Sequence, residues 1–166
     1  MRGLLRTGPE RAPGIAARIK TEWVRGLDRN HCALSPGIRA RFAPEYAVLT
    51  SCELLNVQAD NAALWNQMNV ASNGVTFLEL SRLIEQTGLS AVGVNAGLEY
   101  LHQVGGPTIL WLNGDSKPYP AKHFAVYAGR DSSGRNILID STVGLAAIDD
   151  RYLSRIWNGP CIIVQK

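Results

Sequence analysis

The stretch that most constrains this chain runs from His123 to Asp140. Two apolar arms flank the polar, turn-rich segment Arg130-Asp-Ser-Ser-Gly-Arg135. Such a pattern predicts a β-hairpin, with Gly134 supplying a backbone angle that other residues reach only at a cost. His123 opens the first arm and Asp140 closes the second, seventeen positions later. In an antiparallel pair the start of one strand lies beside the end of the next, so the hairpin is expected to set an imidazole beside a carboxylate. A carboxylate there fixes the tautomer of a histidine and supports its positive form, as a thiol or hydroxyl nucleophile needs from its base. The plainer alternative is a surface histidine at a strand start and an aspartate that caps the turn Asp140-Ser-Thr.

Ahead of the hairpin the periodicity is helical. Pro44 suits a first helical position and Glu45 favours the positive end of the dipole. The run Tyr46, Ala47, Leu49, Thr50, Leu54, Val57 predicts a central buried helix ending near Asn56, with Cys52 as a small core residue. Asp60 caps a second, short helix. Thr76-Phe-Leu-Glu79 is a capping box launching a third, with Phe77, Leu80, Leu83 and Ile84 on one face and Gly88 ending it. Beyond it the pattern turns to short strands: Ala91–Val94, Thr108–Leu112, the hairpin, Gly144–Ile148 and Pro160–Val164. Short helices at Leu98–Gln103 and Asp149–Trp157 interrupt them. Helices first and a mostly antiparallel sheet second is an α+β order.

The length of 166 residues suits one domain with a real core, and 46% apolar against 19% charged residues excludes a disordered chain. No apolar run is long enough to cross a bilayer, and Arg6 interrupts Gly3-Leu4-Leu5, so no secretory signal core is recognised. The chain reads as cytoplasmic, or as a cytoplasmic piece of something larger. Three cysteines, Cys32, Cys52 and Cys161, without a signal peptide argue against a disulfide framework, and no zinc-ligand spacing occurs. No metal or cofactor is expected. Of the net charge of +3, residues 1–30 carry +4, so a basic arm precedes a near-neutral body over residues 31–166. Ile15, Ile19, Trp23 and Val24 predict an amphipathic helix over residues 15–25 within that arm.

The order of these features resembles papain-like cysteine peptidases. The nearer likeness is to the bacteriocin-processing branch, which cleaves double-glycine leaders at the front of peptide exporters. In that family a central helix opens with Cys-Gly-Pro, a Gly-Thr precedes a third helix, and His-Phe-x-Val-x-x-Gly is followed by Asp-Pro. Here stand Phe42-Ala43-Pro44, then Asn73-Gly74-Val75-Thr76, then His123-Phe124-Ala125-Val126-Tyr127-Ala128-Gly129, then Asp140-Ser141. The fit runs from about residue 38 to residue 164. The resemblance implies a papain-like fold, His123 and Asp140 as the remaining catalytic positions, and a peptide or polypeptide partner with an exporter behind it.

Two departures bear on activity. Phe42 stands where the family has its nucleophilic cysteine, which closes the acyl-enzyme route there. No glutamine occurs before Gln58, and Pro36 stands near the place of the family's oxyanion donor. One expectation is therefore a catalytically degenerate domain that binds a polypeptide between the helix starting at Phe42 and the strand starting at His123. Trp111 and Tyr119 are its candidate groove residues, and the Phe42 ring is a candidate to stack on His123. The alternative is an active cysteine endopeptidase or amidohydrolase with Cys32 as a displaced nucleophile, beside His31 and served by His123 and Asp140. A third reading uses the basic arm against nucleic acid or membrane. Its charges lack the interleaved aromatics of a single-strand binder, so no nucleic-acid partner is expected and membrane contact is left to a partner or the arm.

Overall fold

The computed structural model describes residues 44–67, 75–113, 121–141 and 143–166. Among them five helices and six strands run in the order α1 (Pro44–Leu54), α2 (Asn61–Gln67), α3 (Phe77–Gln86), β1 (Ser90–Asn95), α4 (Leu98–Val104), β2 (Thr108–Asn113), β3 (Ala121–Arg130), β4 (Asn136–Asp140), β5 (Gly144–Ile148), α5 (Asp150–Ile156) and β6 (Pro160–Gln165). Cys32, Phe42, Tyr119, Pro36 and the helix expected over residues 15–25 lie outside the described residues.

Local signals account for most boundaries. The Asp60 carboxylate accepts from the backbone N–H groups of Ala62 and Ala63 at the head of α2. At the head of α3 the Thr76 hydroxyl accepts from Glu79 N–H, and the Glu79 carboxylate reaches back to Thr76 N–H, which satisfies two otherwise orphaned donors. Helix α1 gives way to Asn56 at φ +53°, a left-handed conformation that asparagine tolerates. Gly134, at φ +81°, closes the tight turn of the β3–β4 hairpin. There Asp131 accepts from the Ser133 hydroxyl and from the backbone and side chain of Arg135. The Ser133 hydroxyl bond is the largest of the effects that hold the Asp131 carboxyl down at about 2.

All strand pairings are antiparallel, in the order β1-β6-β2-β3-β4-β5. Strand β6 thus inserts between β1 and β2 rather than joining an edge. Alternation along the strands gives the sheet two apolar faces. On one, Ile109, Val126, Ala128, Ile137, Ile139, Ile162 and Val164 meet Ala47, Val48 and Cys52 of α1, Leu64 of α2 and Leu80, Leu83 and Ile84 of α3. On the other, Leu110, Leu112, Ala125, Tyr127, Leu138 and Cys161 meet Leu101 of α4 and Leu153 and Ile156 of α5. The architecture is α+β, the helical first part packed on the antiparallel sheet, with two short helices covering the back.

A polar tie joins those two short helices to the sheet. Buried Asn136 donates from its amide to Asp150 Oδ1 at 2.8 Å, and its Oδ1 lies 3.0 Å from His102 Nε2. The Asn136 bond, with the nearby His102 and Arg130, holds the Asp150 carboxyl below the ordinary carboxylate range.

Candidate functional site

His123 is the third residue of β3 and Asp140 the last of β4. The pairs Val126 with Ile139 and Tyr127 with Leu138 set the register. Continued one step, that register sets Ala125 opposite Asp140, with His123 one pleat further along the same face. The two side chains are therefore diagonal neighbours, a separation that long side chains bridge. His123 Nε2 and Asp140 Oδ2 are hydrogen-bonded. The other carboxylate oxygen, Oδ1, accepts from Val143 N–H at 2.8 Å. That contact forms where the chain turns from β4 into β5, at Gly144 with φ +78°. The carboxylate thus caps its turn and holds the imidazole at once, so both sequence readings of Asp140 describe part of its role. The surface reading of His123 does not hold: His123 and Asp140 are each 1% exposed.

Phe124, next along β3, points to the opposite face. It stands across from Trp111 of β2 in register, with ring centroids 4.6 Å apart. Phe77, the first residue of α3, closes the group at 5.6 Å from Phe124, edge-on, and 6.0 Å from Trp111. All three rings are half-buried, and Leu78 beside them is 61% exposed. They form an aromatic shelf on the α1 side of the sheet, at the end where His123 sits on the reverse side. Of the residues singled out from the sequence, His123 and Asp140 come together, and Trp111 lies one strand away on the shelf. Sequence reasoning places Phe77 in the core and Phe124 in a motif, and misses both as shelf residues. A signal exists in Phe77-Leu78, a pair of adjacent apolar residues of which a helix can bury only one.

The head of α1 holds a second unexpected group. Glu45 is 4% exposed, and its Oε2 has no hydrogen-bond partner among the described residues. Burial pushes its carboxyl above the ordinary range, against the lowering effect of its own backbone hydrogen bond. The described cysteines, Cys52 and Cys161, are both buried; burial raises the Cys52 thiol and takes Cys161 to about 11, so neither is an activated nucleophile. No group of three or more potential metal ligands occurs among the described residues. No described helix is long and apolar enough to cross a membrane.

Comparison with known proteins bears on this arrangement. No curated protein matches the sequence. Several solved structures share the fold. The double glycine motif protease from an AMS/PCAT transporter, in complex with the leader peptide, superposes with a TM-score of 0.62 at 20% identity, covering 74% of this chain and 82% of that one. The N-terminal peptidase C39 like domain of the toxin secretion ATP-binding protein from Vibrio parahaemolyticus gives 0.60 at 21%, covering 74% and 95%. The peptidase domain of Streptococcus ComA, a bi-functional ABC transporter, gives 0.63 at 17%, covering 78% and 95%. At these identities the likeness speaks for the fold alone. The model of the peptidase C39 family matches residues 46–166, and with most of its length so accounted for, the chain belongs to that family.

Proposed function

We propose that this chain is a non-catalytic member of the family that holds an extended polypeptide on the aromatic shelf, while the His123–Asp140 pair serves as an internal tie. The observation that carries this reading is the burial of the pair. A general base must come within hydrogen-bond reach of the proton it takes. At 1% exposed the imidazole is closed to a ligand approaching from solvent, and so could serve only a nucleophile packed against it. The sequence points the same way, with Phe42 where the family resemblance calls for a cysteine, four residues ahead of the segment that the family model matches.

Half-buried aromatic rings beside an exposed leucine suit the apolar side chains of a peptide. A related fold has been crystallised with a leader peptide, and others belong to an ABC transporter and to a toxin secretion ATP-binding protein. These support a transported polypeptide as the ligand and an exporter as the second partner, with the domain, residues 31–166, on the cytoplasmic side and residues 1–30 as a basic arm.

The test uses a fluorescein-labelled double-glycine leader peptide. Anisotropy should show binding to the wild type, and Trp111→Ala should weaken it about tenfold, the scale of an aromatic anchor. Mass spectrometry should find the peptide intact after a day. No binding would overturn the proposal. Cleavage that disappears in Cys32→Ala would replace it with a cysteine hydrolase using a displaced nucleophile. Alkylation tests the same point independently. With Cys52 and Cys161 buried and their thiols raised, fast labelling of the native protein at neutral pH reports Cys32 alone.

A further inference from the structure

The end of the sheet next to the shelf carries a pair of asparagines. Asn113, the last residue of β2, and Asn158, two residues ahead of β6, are both exposed. The Asn113 amide donates to Asn158 Oδ1 at 2.8 Å, and among the described residues neither side chain has another partner. Asn113 lies two positions beyond Trp111 on β2, past the register shift that follows Leu112, about 7 Å along the strand. Gly159 follows Asn158 at φ +120°, and a Cβ there would collide with the Asn95 amide, so a third asparagine packs against the same corner.

Two amides that share one hydrogen bond keep an acceptor on one partner and a donor on the other. Reversing both amides in assignment leaves that outcome unchanged. An acceptor and an N–H side by side are the complement of the N–H and C=O of one residue in an extended strand, which point the same way. Their mutual bond also fixes both side chains before a ligand arrives, which removes much of the ordering cost that exposed asparagines otherwise carry.

We infer that Asn113 and Asn158 form a backbone-reading clip, which takes the N–H and C=O of one residue of an extended polypeptide whose apolar side chains rest on Phe77, Trp111 and Phe124. This rests on the peptide-binding reading above and adds to it a contact that depends on the main chain rather than on side-chain identity. Register within the bound segment then comes from the fixed spacing between clip and shelf.

The experiment measures the labelled double-glycine leader peptide and a series of its analogues, each with one backbone amide replaced by an ester. An ester lacks the N–H and has a weaker carbonyl acceptor. On the wild type, one ester position should weaken binding about fivefold, the scale of one net hydrogen bond. On Asn113→Ala/Asn158→Ala the amide peptide should bind about 25-fold more weakly, the scale of two net hydrogen bonds, and that ester position should cost nothing further. If the peptide binds and loses affinity with Trp111→Ala, but no ester position distinguishes the wild type from the double variant, the clip is wrong and the shelf stands. If the all-amide peptide does not bind the wild type, shelf and clip fall together. The ester series alters only the peptide, so it holds even where the double variant is less stable.

Discussion

At the scale of single residues, the buried acids separate structure from chemistry. Asp140 is bonded on one oxygen to His123 and on the other to Val143 N–H, inside the protein. Removing it leaves an imidazole and a backbone donor without their acceptor, and breaking such a buried pair costs about 3–5 kcal/mol. Asp140→Ala is therefore expected to lower the urea midpoint by that equivalent while peptide binding to the remaining folded protein persists. Loss of a measurable hydrolysis instead would mark the pair as catalytic. Glu45 works in the opposite sense. Its carboxyl is raised by burial, so the folded state holds a proton that the unfolded state releases. Stability should then fall as pH climbs from the ordinary carboxylate range through the raised folded value. Glu45→Gln, which keeps the shape without the charge, should flatten that slope and gain about 1 kcal/mol at pH 7.5, read from urea unfolding at pH 4.5 and 7.5. An unchanged slope would show that Glu45 ionises without cost in the native protein.

At the scale of elements, the features legible in the sequence are those whose cause is local. Thr76 and Glu79 stand three positions apart, and the box they make needs nothing beyond that turn. Thr76→Ala should cost about 1 kcal/mol in thermal or urea unfolding, the usual worth of an N-cap, and an effect near zero would mean that docking alone holds the start of α3. Asp60, Gly134 and the His123–Asp140 hairpin are readable for the same reason, since each depends on residues within one turn or one strand pair. The aromatic shelf is not readable. Its rings come from α3, β2 and β3, and only the pairing of Trp111 with Phe124 and the docking of α3 bring them together. The burial of Glu45 is equally hidden. Helix-start chemistry predicts an exposed acid at that position, and packing from elsewhere in the chain overrides it.

At the scale of the whole molecule, the strand order is the feature with no sequence signature. Hydrophobic alternation identifies β6 as a strand but does not tell a central strand from an edge. Its burial pattern, with four consecutive buried residues from Cys161 to Val164, is that of a strand covered on both faces. It pairs with β1 along six residues and with β2 along three, and Val164 N–H also bonds to Pro107 O. A chain stopped before Pro160 loses both ladders and a layer of each core. It is expected to show no cooperative urea transition and to bind a hydrophobic dye; a cooperative transition would mean that β1 and β2 close on each other unaided.

The same insertion has a temporal side. A ribosome delivers β1 and β2 first, with the slot between them vacant, and the strand that fills it emerges after every other part of the sheet. Until then two unpaired backbone rims face solvent, each a template for a stray neighbour. Native closure is thus a late, long-range event rather than a gradual accretion. Copies that stall during translation are the ones that chaperones must shield.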